Sequence, residues 1–101
     1  MAARRRTKYG DLRLLLLHLV STAPMTGADL QQAIDEATGG RYRPSGGSIY
    51  PRLTSLKVKG LVRPTAPVGR RVEYQITDQG ARALAAQEHE VRAAHERICG
   101  D

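Results

Sequence analysis

The apolar positions change their spacing along the chain, and each change marks an element. Leu12, Leu15, Leu16, Leu19 and Val20 recur at helical spacing, and Leu14 and Leu17 widen the stripe. A stripe that broad predicts a helix buried on much of its circumference. Thr22-Ala23-Pro24 ends it, because Pro24 disfavours the helical conformation at Ala23. Thr26 opens a second helix, with Asp29 three residues on as a capping-box-like partner. Ala28, Leu30, Ala33, Ile34 and Ala37 form its modest apolar face, and Gly39-Gly40 stops it. Ile49, Leu53 and Leu56 then recur at i, i+4 and i+7. They predict a third helix from the Ser45 N-cap to about Lys59, closed by Gly60.

Beyond Gly60 the period falls to two. Leu61-Val62-Arg63 is short and β-prone, Pro64 to Gly69 is turn material, and Arg70 to Ile76 alternates, with Val72, Tyr74 and Ile76 on one side. That pattern predicts a half-buried hairpin tipped by Gly69-Arg70-Arg71. Thr77 caps a last helix, with Asp78 near its N-terminus, running to about Ile98. Leu84, Val91 and Ile98 recur at sevens along it, while the four-residue steps land on Glu88 and His95. The seam is thin for a coiled coil; it predicts pairing with a partner subunit and packing on the leucine helix.

The third helix breaks local rules. Gly46, Gly47 and Pro51 are poor interior helix residues. Such conflicts concentrate at functional positions. Away from the apolar ridge the helix carries Ser48, Arg52 and Ser55, groups that suit phosphates and base edges better than a core. The element order is helix, helix, helix, hairpin, helix: mainly α with a small β-hairpin (α+β). It describes a winged helix-turn-helix with a C-terminal dimerisation helix. The expected organisation is a flexible basic arm at 1–9, a winged helix-turn-helix at 10–77 and the dimerisation helix at 78–101.

Charge sharpens this reading. The formal charge is +6, but residues 1–71 hold 13 Lys/Arg against 4 Asp/Glu, whereas residues 72–101 hold 3 against 6. A segregated basic end points to a polyanion, most often nucleic acid. Arg41 and Arg43 precede the third helix, Arg52 lies on it, and Arg70 and Arg71 sit on the wing, where such a fold meets DNA. Arg4 to Arg6 fit either a minor-groove arm or a solubilising tail. The lone Cys99 excludes an internal disulfide framework and fits a reducing cytoplasm. The apolar run Leu14–Val20 is too short to span a bilayer. His95 and Cys99, at i and i+4, are two candidate ligands rather than a metal site. No nucleophile–base pairing, phosphate-cradling loop or metal-ligand cluster is visible, so no enzyme, metal or cofactor is expected.

The segment Thr38-Gly39-Gly40-Arg41-Tyr42-Arg43-Pro44-Ser45-Gly46-Gly47-Ser48-Ile49-Tyr50-Pro51 resembles the PadR-like transcriptional regulators. The resemblance continues through Leu53, Leu56, Gly60-Leu61-Val62, Gly69-Arg70-Arg71-Val72-Glu73-Tyr74 and Thr77-Asp78-Gln79-Gly80, covering about residues 10–85. One departure is Thr26-Gly27-Ala28, where the family typically has His-Gly-Tyr. The resemblance implies a homodimeric repressor of the single-C-terminal-helix subgroup that binds a pseudo-palindromic operator in double-stranded DNA. It nominates Ser45, Ser48, Tyr50 and Arg52 on the helix, with Arg70 and Arg71 on the wing. The alternative is a winged helix used for protein or RNA contact. With no Trp or Phe in the chain, the aromatic stacking by which some relatives hold flat effectors is largely absent, and no effector is named.

Overall fold

The computed structural model describes residues 10–100. The basic arm expected at 1–9 lies outside them. Five helices and a short hairpin follow in order: α1 (Asp11–Thr22), α2 (Gly27–Ala37), α3 (Gly46–Val58), β1 (Val62–Pro64), β2 (Tyr74–Ile76), α4 (Asp78–Ala86) and α5 (Glu88–Cys99).

The leucine helix α1 is the centre of the molecule. Leu12, Leu14, Leu15, Leu16, Leu17 and Val20 are all buried, as a helix apolar nearly all round requires. Leu30 and Ile34 of α2 and the ridge Ile49, Leu53 and Leu56 of α3 close on it with no exposed surface at all. Helix ends follow the sequence signals. The Thr26 hydroxyl accepts from the Asp29 N–H at 2.9 Å, and the Asp29 carboxylate accepts from the Thr26 N–H at 3.0 Å, a complete capping box. At the end of α3, Gly60 takes φ +77°, its N–H donating to Lys57 and the Leu61 N–H to Leu56, a Schellman motif.

The turn between α2 and α3 is tied from inside. The buried Thr38 hydroxyl donates to the Ile34 carbonyl at 2.9 Å and accepts from the Tyr42 N–H at 3.0 Å, while Gln31 Nε2 donates to the Pro44 carbonyl at 2.9 Å. These bonds set the entry of α3 before any ligand is present.

The structure departs from the expected elements in three places. The regular part of the hairpin is three residues per strand, Val62–Pro64 against Tyr74–Ile76, rather than the whole of 70–76. Pro64 has no N–H to continue the ladder. Further out, side-chain and isolated backbone bonds take over: Thr65 N–H donates to Glu73 at 2.8 Å, and Val68 and Arg71 exchange both backbone bonds at 3.0 Å. Second, Met25 pairs with Tyr74 (3.0 and 2.7 Å), adding a one-residue third strand between α1 and α2.

Third, the last helix is not continuous from Asp78 to Ile98. It breaks at Gln87 (φ −117°, ψ 30°), whose N–H is shared between the Ala83 and Leu84 carbonyls. Across the break, Leu84 on α4 and Val91, Ala94 and Ile98 on α5 all turn toward α1. Helix α5 is further clamped by Arg97, which is forked onto the buried Asp11 carboxylate at 2.7 and 2.9 Å. Among the described residues no helix is long and apolar enough to cross a membrane.

Candidate nucleic-acid interface

The buried ridge of α3 determines what the helix shows to solvent. With Ile49, Leu53 and Leu56 turned inward, Gly47, Tyr50, Pro51, Thr54, Lys57 and Val58 stand outermost and exposed. Ser48, Arg52 and Ser55 are half-buried on one flank. The sequence spacing sets these three away from the apolar ridge, and in the structure they stand between that ridge and the outermost positions. Thr54 and Val58 carry no charge or motif that singles them out, yet the apolar periodicity alone sets them opposite the core.

Ser45 caps α3, its hydroxyl accepting from the Ser48 N–H at 3.2 Å. Arg52 folds back along its own helix, Nη1 donating to the Ser48 carbonyl at 2.9 Å, and lines a small hollow of about 160 Å³ with Arg13, Pro51, Ser55 and Lys59. Pro51 leaves the Gly47 carbonyl without its usual intrahelical donor, which costs little because Gly47 is exposed to water.

On the other flank, Tyr50 lies over the start of α2. A Cβ at Gly27 would sit 2.5 Å from the tyrosine ring, so the ring rests where only glycine leaves room. Tyr50, Thr26, Gly27, Ala28, Arg70 and Arg71 line a groove of about 580 Å³ between α2, α3 and the wing. The wing tip is a two-residue turn. Gly69 takes φ +64° and Arg70 a negative φ, the sign pattern of a type II′ hairpin turn.

The two wing arginines differ. Arg71 is tied down, donating to Asp29 at 3.1 Å and Glu73 at 3.4 Å, so the wing is latched to the capping box of α2. Arg70 makes no hydrogen bond or ion pair among the described residues and stands exposed at the tip. The Thr26 N–H donating to its carboxylate holds the Asp29 carboxyl below the ordinary range, burial opposes this, and Arg71 adds to the lowering. A depressed carboxyl pKa stabilises the fold above its unfolded value of about 4 and loses that contribution as pH falls through the folded value. The latch is therefore expected to persist at neutral pH and loosen below about pH 4. Amide exchange at Thr26 and Arg71 followed from pH 6 to pH 3 should show protection lost together, and Asp29→Asn should show that loss already at pH 6.

The remaining nominated arginines sit off this face. Arg43 pairs with Asp35 at 3.2 Å and Gln32 at 3.1 Å along α2. Arg41 donates to the Thr38 carbonyl at 2.8 Å and reaches the Cys99 carbonyl at 3.5 Å, bridging the α2–α3 turn to the end of α5. Burial pushes the Cys99 thiol up from its ordinary pKa, which keeps it in the unreactive protonated form. The exposed face of α3 and the wing tip thus present Tyr50, Pro51, Thr54, Lys57 and Arg70 to solvent, with Ser48, Arg52 and Ser55 half-buried beside them. Leu84, Val91 and Ile98 lie away from it, turned toward α1 of the same chain.

A helix-turn-helix whose second helix presents an exposed face beside a latched hairpin defines a winged helix. The chain belongs to the PadR-like family of transcriptional regulators, whose family profile matches residues 16–86. It is 36% identical over 90 residues to the transcriptional regulator YqjI of Escherichia coli K12, covering 89% of this chain and 44% of that protein. The chain thus spans less than half the length of that relative. The crystal structure of a PadR-like transcription factor from Bacteroides fragilis superposes with a TM-score of 0.73 at 26% identity, over 89% of this chain and 88% of that one. A PadR family transcription regulator from Clostridium difficile R20291 shares the fold at a TM-score of 0.70 and 20% identity, over 86% and 93%.

Proposed function

We propose that this chain is a sequence-specific DNA-binding repressor that acts as a homodimer on a pseudo-palindromic operator. The observation that carries it is the joint placement of the α3 outer face and the Arg70 tip on either side of Tyr50, at the basic end of the chain. A helix of this kind enters the major groove while the hairpin tip lies on the adjacent backbone. Family membership supports the regulatory role. In the dimer, the α4–α5 surface meets its counterpart. Support for this is a concavity of about 370 Å³ floored by Leu84 and Val91 and rimmed by His18, Glu88, Arg92 and His95, a hollow that a second helix would fill. The winged helix as a protein- or RNA-docking module is the competing reading.

Binding of the purified chain to the duplex upstream of its own gene, against a random duplex at the same salt, separates the two. The repressor reading expects tight binding to the first and a steep salt dependence. Equal affinity for both duplexes would sink it. The wing makes a second prediction. Arg70→Ala should weaken every duplex alike and reduce the slope of log affinity against log salt by about 1. Arg71→Ala should change that slope less, because its charge is already paired within the protein. Fluorescence anisotropy over a salt series measures both.

A further inference from the structure

Among the described residues the large exposed apolar side chains are Tyr50 (49% exposed), Val58 (80%) and Val68 (78%), and all three lie on α3 or the wing. At about 100° per residue, the positions diametrically opposite the buried ridge of α3 are Gly47, Pro51, Thr54 and Val58. That outer ridge carries no guanidinium, carboxamide or carboxylate. It presents a pyrrolidine ring, the Thr54 methyl and hydroxyl, and an isopropyl group. The single arginine of α3, Arg52, is off to the side and bonded to the Ser48 carbonyl at 2.9 Å.

Bidentate reading of guanine or adenine uses Arg, Lys, Asn or Gln, and none stands on this outer ridge. Of the features that base pairs present in the major groove, the C5-methyl of thymine is the apolar one. An apolar ridge bordered by Lys57, Lys59, Arg52 and the Arg70 tip fits a polyanion whose groove floor offers methyl groups. We propose that α3 reads thymine methyl groups, with Thr54 as the central specificity-determining residue and Pro51 and Val58 on either side of it. Tyr50, Ser48 and Ser55 then serve the sugar–phosphate walls. This inference rests on the DNA-binding reading above and adds which base feature is recognised.

The test uses the full chain and the duplex it enriches from a random pool. Each thymine of the enriched half-site is replaced singly by deoxyuridine, which removes the methyl and leaves pairing intact. At one or two thymines the affinity should fall about fourfold, the equivalent of one buried methyl group. Thr54→Ser, which keeps the hydroxyl, should bind the thymine and deoxyuridine duplexes equally at one of those positions. Thr54 is exposed, so this variant should fold normally, which circular dichroism checks. If no deoxyuridine replacement weakens binding while the enriched duplex still outcompetes random DNA, methyl reading is wrong and the regulator reading stands. If methyl removal matters equally in wild type and Thr54→Ser, the assignment to Thr54 is wrong. If nothing is enriched, both readings fall together.

Discussion

Asp11→Ala is expected to destabilise the protomer by about 2 kcal/mol, the loss of a charge-assisted hydrogen-bonded pair, lowering the melting temperature by roughly 8 °C or more for a domain of this size. Asp11 is 2% exposed, and Arg97 approaches it with two parallel N–H donors at 2.7 and 2.9 Å. The pair ties the first turn of α1 to the last turn of α5, 86 residues away. Arg97 is partly exposed, so its guanidinium can turn to water once the carboxylate is gone. What is lost is the clamp that holds α5 on α1 and, with it, the seating of Val91, Ala94 and Ile98. Arg97→Lys should lose less, since it keeps the charge but not the planar fork. Differential scanning calorimetry on both variants measures the effect, and an Asp11→Ala protein that melts with the wild type would show that α5 docks by apolar contact alone.

Gly80→Ala is expected to be more damaging, at about 3 kcal/mol, the upper end for one added methyl group. Gly80 is buried where α4 crosses the base of the hairpin. A Cβ there would penetrate the Leu61 carbonyl oxygen and lie 2.7 Å from Ile76 Cγ1. The carbonyl is backbone and cannot swing aside, so α4 has to lift. Lifting it strains two neighbouring bonds, Thr77 N–H to the Leu61 carbonyl at 3.1 Å and the Thr77 hydroxyl to the Gly60 carbonyl at 2.6 Å. Those bonds seat the hairpin against α3. The variant should therefore lose DNA affinity as well as stability, with the affinity loss persisting at temperatures where it is fully folded. Urea titration and duplex binding at 10 °C give the two numbers separately. A Gly80→Ala protein with wild-type stability would mean that α4 is free to shift without cost.

The parts of the fold that could be read from sequence are those with both a period and a cap. Helices α1 to α3 each had an apolar ridge, and Thr26 and Ser45 marked two starts that the structure shows bonded as expected. The break at Gln87 had no such mark, because Gln87, Glu88 and His89 are all compatible with a continuing helix. The Met25 strand is a single residue between Pro24 and a capping threonine, too short to carry a period.

At the candidate interface, residue type and residue spacing single out different positions. Ser48, Arg52 and Ser55 looked suited to DNA by type, yet the spacing of Ile49, Leu53 and Leu56 already placed Pro51, Thr54 and Val58 outermost. The pairings join Arg71 to Asp29, 42 residues away, and Arg43 to Asp35 back across the α2–α3 turn. No local pattern announces them, and they separate cations bound within the protein from the exposed Arg70.

The measurement that bears most directly on this account is selection of bound duplexes from a random pool by the full chain at moderate salt. The account predicts enrichment of one half-site in inverted repeat, its two copies about one helical turn apart, as a symmetric winged-helix dimer requires. A pool that stays random after repeated rounds, or a single unpaired site bound by a monomer, would contradict it.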